Sequence, residues 1–385
     1  MNLNDYFDPV SLVLDSQEID PINQLYSSVK IHTQTQQISA VQDAEIALIG
    51  ICSKNEKASN YSLEGLKNIR SCFYQLANFS KKVKLYDLGN IKQGKSAEDS
   101  TAALRDVIIE LLTLNIIPII LGDSEDVLYP NYLAYKKVNK EINLVSIDSR
   151  INISENRAKK YKSALWKIII ENNEALFSYI NLGYQTHFVS SKTGNFLSEH
   201  LHDIYRLGYV RNNLKEVEPL FRDADLIGLS IASVRQSDAF GQEKPSPNGF
   251  YGEEICRLAR YAGSSTKLSS FGIYDYGPFS DINNQTAHLV AQIIWYFIDG
   301  FINRYKEYPL EAEGVYKKFI VNMDDLEHEM IFYKSEKTNR WWVEVPSLKK
   351  GRAKRILISC NYDDYLEAGN GDIPERWLKA FQKLN

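Results

Sequence analysis

The run Ile116-Ile117-Pro118-Ile119-Ile120-Leu121-Gly122-Asp123-Ser124-Glu125-Asp126 decides the fold. Its apolar, β-branched half shows no in–out alternation, which suits a strand covered on both faces. Glycine followed by acids marks where the chain leaves the sheet. Just upstream, Leu104, Val107, Ile108, Leu111 and Leu112 recur at helical spacing. Just downstream, Ile142–Ile147 repeats the apolar run and ends in Asp148-Ser149-Arg150-Ile151-Asn152. Strand, helix and strand of this kind are the unit of a parallel α/β sheet.

The same alternation extends outward. Candidate strands are Ile46–Ile51, Val83–Asp87, Tyr179–Tyr184, Tyr205–Val210, Leu226–Ile231 and Leu268–Tyr274, which with the two central ones make eight. Leu63–Phe79, Ala97–Leu114, Glu253–Tyr261 and Gln285–Ile302 read as helices. After Tyr305 closely spaced strands follow at Lys317–Asp324, Met330–Lys334, Arg340–Val345 and Arg355–Cys360, then a helix from Pro374 to Leu384. The expected organisation is a polar, partly helical extension over 1–42 and an α/β domain over 43–305. A β-rich appendage over 306–385 completes it. The fold class is three-layer α/β/α with an eight-stranded, mostly parallel sheet, plus a small antiparallel sheet.

Composition narrows the function. Lys and Arg number 45 against 49 Asp and Glu, a formal charge of −4, so neither nucleic acid nor an anionic membrane is an expected partner. The four cysteines form no C-x-x-C pair, which suits reduced thiols. No apolar run approaches the roughly 20 residues needed to span a bilayer, and no signal-like segment opens the chain. A cytoplasmic protein is expected. Tyr 24, Phe 16 and Trp 5 against 3 Met make an aromatic excess that needs a place.

Ligands of an open parallel sheet sit beyond the carboxyl ends of its strands. Four segments meet that rule: Gly122–Asp126, Asp148–Asn152, Ser230–Asp238 and Tyr274–Pro278. Asp123, Glu125, Asp126 and Asp148 then gather near one another, as a cation site or an acid–base pair requires. The plainer reading is that Asp123 or Ser124 caps a following helix. Arg150 matters to both, because a cation among carboxylates competes with a metal for the same negative charge.

In order and context these motifs resemble the arginase, agmatinase and formiminoglutamase group of ureohydrolases, most nearly the formiminoglutamase branch. Gly122-Asp123-Ser124-Glu125-Asp126 through Tyr129 and Tyr132-Leu133-Ala134 is similar to that branch's Gly-Gly-x-His-Glu motif and its sequel. Asn248-Gly249-Phe250-Tyr251-Gly252-Glu253-Glu254 looks like its Gly-Leu-Thr-x-x-Glu segment. The resemblance covers about Ile46 to Ile302. It implies an eight-stranded arginase-like sheet and a pair of manganese ions held by two His and four Asp.

Position by position, the ligand set is altered. Glu125 stands for the first His, Asp148 is retained, and Arg150 replaces the second His. Asn152 replaces the next Asp, and the Asp-x-Asp pair has become Ser230 and Ala232. No metal cofactor is therefore expected; Glu125 and Asp148 are the residues left should manganese bind. The resemblance also places Glu254 and Asp275 near the amino or amidine end of a ligand, with His187 at the rim. Arg150 is expected as counter-ion to Asp148 and Glu125, and Tyr129, Tyr132, Phe250, Tyr251, Tyr274 and Tyr276 as fillers of the emptied site.

The expected function is a ureohydrolase-fold pseudoenzyme that binds a small amino-acid-like or amidine ligand, a protein partner or its own copies. The alternative is an active formiminoglutamase- or agmatinase-like hydrolase of linear amidine C–N bonds with one metal or none. His200 and His202, at i and i+2, share no helix face and read as surface residues, and His288 lies in a helical run. Lys349–Arg355 reads as a solvated turn. Trp341 and Trp342, adjacent on a strand, must face opposite ways.

Overall fold

The computed structural model describes residues 5–11, 20, 23–38, 40–52, 56–156, 161–309, 316–323, 329–347 and 354–385, with main chain only at 56–61, 97, 155–156, 161 and 354. Its centre is a ten-stranded sheet. The strands are β1 (Phe7–Asp8), β2 (Lys30–Ile31), β3 (Ile46–Ile51), β4 (Leu85–Ile91), β5 (Ile117–Gly122) and β6 (Ile142–Ile147). They continue with β7 (Leu176–Tyr184), β8 (Asp203–Arg206), β9 (Leu226–Ser230) and β10 (Ser270–Tyr274). The spatial order is β1-β4-β3-β5-β10-β9-β6-β7-β8, with β2 also paired to β4. Every pairing is parallel except β1 with β4.

Burial on both faces explains the unalternating runs. On β3, Ile46 and Leu48 enter one core, with helices Glu56–Tyr74, Gly252–Gly263 and Gln285–Ile302. Ala47, Ile49 and Ile51 enter the other, with helices Ala97–Thr113 and Leu128–Lys137. This is the expected three-layer arrangement, enlarged by two short strands from the N-terminal extension. Among the described residues that extension also holds the 3-10 turn Leu25–Ser27 but no α-helix. Two strands differ from expectation: Val83–Asp87 is shifted to Leu85–Ile91, and Tyr205–Val210 is strand only to Arg206, with Leu207–Asn212 helical. No helix among the described residues is long and apolar enough to cross a membrane.

The C-terminal part is a separate antiparallel sheet: β11 (Tyr316–Asn322), β12 (Glu329–Ser335), β13 (Trp341–Ser347) and β14 (Lys354–Cys360). Two helices cover it. Glu375–Leu384 was legible from Pro374; Tyr362–Gly369 was not, though Asn361 and Asp364 form its capping box. Trp341 joins this sheet's own core, stacked on Tyr365 at 5.0 Å. Trp342, on the opposite face, meets the Arg222 guanidinium of the α/β domain at 4.8 Å. The Arg222 Nη groups donate to the carbonyls of Trp341 and Cys360 at 3.0 and 2.8 Å, and Asp223 accepts from Ser359 N and Oγ at 2.9 and 2.6 Å. Residues 348–353, most of the basic run, and His328 lie outside the described residues.

Candidate functional site

The strand-end rule places the site beyond β5, β6, β9 and β10. These four are neighbours in the sheet, and Ser230 pairs with Tyr274 in register. Asp148, Ser230 and Asp275 therefore follow one another across the sheet. Asp275 leaves β10 with a φ of 66°, a left-handed conformation that Asp tolerates and that often marks functional sites. Its Oδ1 accepts the Glu125 N–H at 3.0 Å and its Oδ2 accepts the Ser230 hydroxyl at 2.6 Å. Asp275 thus ties the 3-10 turn Glu125–Val127 to the end of β9. Asp148 accepts the Arg150 N–H at 2.9 Å.

Three carboxyls in a shielded space suppress one another's ionisation. Burial, then Asp148 and Asp275, hold the Glu125 carboxyl well above its ordinary range. Burial and Asp275 push Asp148 up to about 7, against the Arg150 N–H, Lys244 and the Arg150 side chain. Asp275 is raised as well, chiefly by burial, with the Ser230 and Glu125 bonds opposing. Lys244 favours the charged form of all three. Sequence reasoning missed it. It stands on the loop after β9, which folds back through the Gln236 N–H to Ser246 carbonyl bond and a bridge between Gln242 and Tyr276. No spacing in the sequence signals that return.

Little open space is left. Glu125, Ser146, Asp148, Ser230, Leu128 and Tyr274 surround a cavity of about 10 Å³, room for about one water molecule. Tyr274 does the filling: its ring lies over β10 and β9, where a Cβ on Gly272 would come 1.9 Å from the hydroxyl and one on Gly228 3.2 Å from the ring. The other rings expected here have different work. Tyr132 donates to the Asn172 carbonyl at 2.5 Å, and Tyr276 donates to Asp281 at 2.9 Å. Phe250 packs where a Cβ on Gly183 would fall, and Tyr251 lies between Arg211 and Arg235 at 3.9 and 4.0 Å. Tyr129 accepts from Asn172 at 3.0 Å, behind the site.

Several candidates stand elsewhere. Asn152 turns its side chain to the Ser154 hydroxyl at 2.7 Å, away from the carboxyls. Asp123 accepts from Ser62 at 3.1 Å. Glu254 takes the Arg211 Nε–H on both oxygens at 3.1 and 3.0 Å and caps its helix through Tyr251 N–H. His187 is exposed beside Phe188, 4.2 Å between ring centres. Ala232 is buried in the turn after β9. His202 is half-buried rather than a surface residue: its Nδ1 accepts the Tyr179 N–H at 3.2 Å, and burial lowers its pKa to about 4. Among the described residues no group of three or more His, Cys, Asp and Glu side chains is arranged to hold a metal ion.

The counter-ion role expected of Arg150 is not what its side chain does. The guanidinium lies over the Phe188 ring at 3.5 Å, and its buried Nε has no hydrogen-bond partner. Its influence on Asp148 is the smallest of the five named above. Arg150→Gln should accordingly lower stability by about 1 kcal/mol or less, the usual worth of a cation–π contact. Calorimetric melting of the two proteins checks this; a loss several times larger would restore the ion-pair role.

Known proteins match this architecture. Residues 44–299 match the family model described as "Arginase family". The formimidoylglutamase of Clostridium tetani is 27% identical over 279 residues, covering 66% of this chain and 82% of that protein. That of Streptococcus gordonii is 26% identical over 285 residues, covering 67% and 85%. Among solved structures, Trypanosoma cruzi formiminoglutamase with Mn2+2 superposes with a TM-score of 0.63 at 16% identity, covering 70% of this chain and 97% of that one. Bacillus subtilis formimidoylglutamase gives 0.63 at 18%, covering 76% and 95%. With a family match across two-thirds of its length, this chain belongs to the arginase family.

Proposed function

We propose that this chain keeps the arginase fold without the manganese-dependent hydrolysis, and serves as a cytoplasmic binding or assembly protein. The observation that carries the reading is the donor set. Two divalent cations bring four positive charges that need several carboxylates and imidazoles to offset them. By the resemblance, the positions that would supply them hold Glu125, Asp148, Arg150, Asn152, Ser230 and Ala232. Of the nearby acids, Asp275 already spends both oxygens on Ser230 and Glu125. Asp148 and Glu125 are held toward their neutral forms. These residues do not fit a manganese pair. Self-association or a protein partner belongs to the same proposal, with a small amino-acid-like or amidine molecule as the ligand class.

A second reading has two observations behind it. The relatives named above are formimidoylglutamases, and Asp148, with a pKa of about 7, is tuned as a general acid or base should be. On that reading the chain hydrolyses a linear amidine with one metal or none. The deciding assay follows formiminoglutamate by NMR in the presence of the protein, with and without manganese. No loss above the buffer rate is the expected result. Turnover that disappears in Asp148→Asn would establish the second reading.

A further inference from the structure

The opposite end of the sheet is open where the strand-end site is closed. Between the α/β domain and the appendage lies a cavity of about 560 Å³, within the range of small-molecule sites, which favour domain junctions. One wall is apolar: Phe177 from β7, Trp342 from β13, Ile356 and Ile358 from β14, and Leu384 from the last helix. Thr266 and Lys267 also line a second cavity of about 440 Å³, so the two form adjoining lobes. The charged side chains of that second lobe are Lys140, Lys267 and Arg304, with no acid among its lining residues.

The plain account of these cations is that they balance helix carbonyl ends, and for two of them partners exist. Lys140 and Lys267 each reach an oxygen of Asp225 at 3.1 Å, and Asp225 is fully buried behind them. Two ammonium groups against one carboxylate still leave a positive charge. Arg304 has less. Its guanidinium lies over Phe301 at 4.0 Å, and its hydrogen bond to the Ser265 carbonyl is long, at 3.5 Å. Among the described residues it forms no ion pair. A partly buried arginine that feels Glu45 but forms no ion pair with it, facing an open space with two further cations, is arranged to receive an anion.

From this juxtaposition we infer that the junction binds an amphipathic organic anion, its acidic head against Arg304, Lys267 and Lys140 and its apolar body along Trp342 and Phe177. The frame is firm, because the Arg222 and Asp223 bonds that bolt the appendage on also form its rim. The family match ends at residue 299, so Arg304 and the appendage wall lie beyond it.

The probes are two fluorescent dyes of like shape, the anionic 8-anilinonaphthalene-1-sulfonate and the neutral N-phenyl-1-naphthylamine, titrated into the full chain. The anion should saturate a single site, and the neutral dye should bind about tenfold or more weakly, as expected when a charge-assisted contact is missing. Arg304→Gln should weaken the anionic dye by about tenfold and leave the neutral one unchanged, while Arg304→Lys retains binding. Lys306→Glu, a charge reversal at an exposed residue lining the first lobe, should also weaken the anion. Equal binding of the two dyes, or an anion affinity indifferent to both Arg304→Gln and Lys306→Glu, would overturn the inference.

Discussion

Arg70→Met is expected to lower the unfolding free energy by about 3–5 kcal/mol, because it strands a charge in the core. Arg70 and Asp87 are 1% and 0% exposed. The Arg70 Nε and Nη2 donate to the two Asp87 oxygens at 2.7 and 3.1 Å, while Nη1 reaches Asn90 at 2.7 Å and Nη2 the Gly89 carbonyl at 3.0 Å. The Tyr74 hydroxyl donates to Asp87 as well. This network fastens helix Glu56–Tyr74 to β4, which pairs with β3. Asp87 without its guanidinium keeps only part of its satisfaction in a medium where charge is costly. Urea denaturation reads the loss as a lower midpoint at constant slope. Replacing both partners, Arg70→Met with Asp87→Leu, should recover much of it, since the charge disappears with its partner. A single-variant loss below about 1 kcal/mol would mean that water reaches the pair.

Asp148→Asn is expected to do the reverse and stabilise the protein at pH 8. Its folded pKa of about 7 lies above the ordinary 3.8, so the fold prefers the protonated acid. That preference contributes fully below about pH 4 and is lost as pH rises through 7, where the folded carboxyl must ionise beside Asp275. At 1.36 kcal/mol per pH unit the ceiling is about 4 kcal/mol. Protons shared with Glu125 and Asp275 reduce what one substitution recovers to on the order of 1–2 kcal/mol. The amide still accepts the Arg150 N–H and cannot ionise. Melting temperatures of the two proteins should therefore separate at pH 8 and converge near pH 4. A ligand of a bound cation would behave otherwise: in manganese its loss would destabilise.

The sheet was legible because strands buried on both faces leave apolar runs that polar solvent-facing strands do not. Two-residue strands such as Phe7–Asp8 and Lys30–Ile31 carry no such signal, since their place depends on pairing with β4. Tyr205–Val210 misled because its apolar residues serve both a strand end and a helix start. The four residues Glu125, Asp148, Ser230 and Asp275 lie together at the strand ends, where the strand-end rule pointed. The direction of a loop side chain is set by tertiary neighbours, so Arg150 on Phe188, Glu254 on Arg211 and the influence of Lys244 on the carboxyls were not legible. Tyr274 was named as a filler, but the glycines that admit its ring, Gly228 and Gly272, became meaningful only once β9 and β10 lay side by side.

We propose that Glu125, Asp148, Ser230 and their neighbours do not hold a manganese pair. Elemental analysis of the purified chain, loaded with manganese and dialysed, tests it most directly. The expected content is well below one ion per chain and unchanged in Asp148→Asn. A content near two ions per chain, lost in Asp148→Asn, would contradict it.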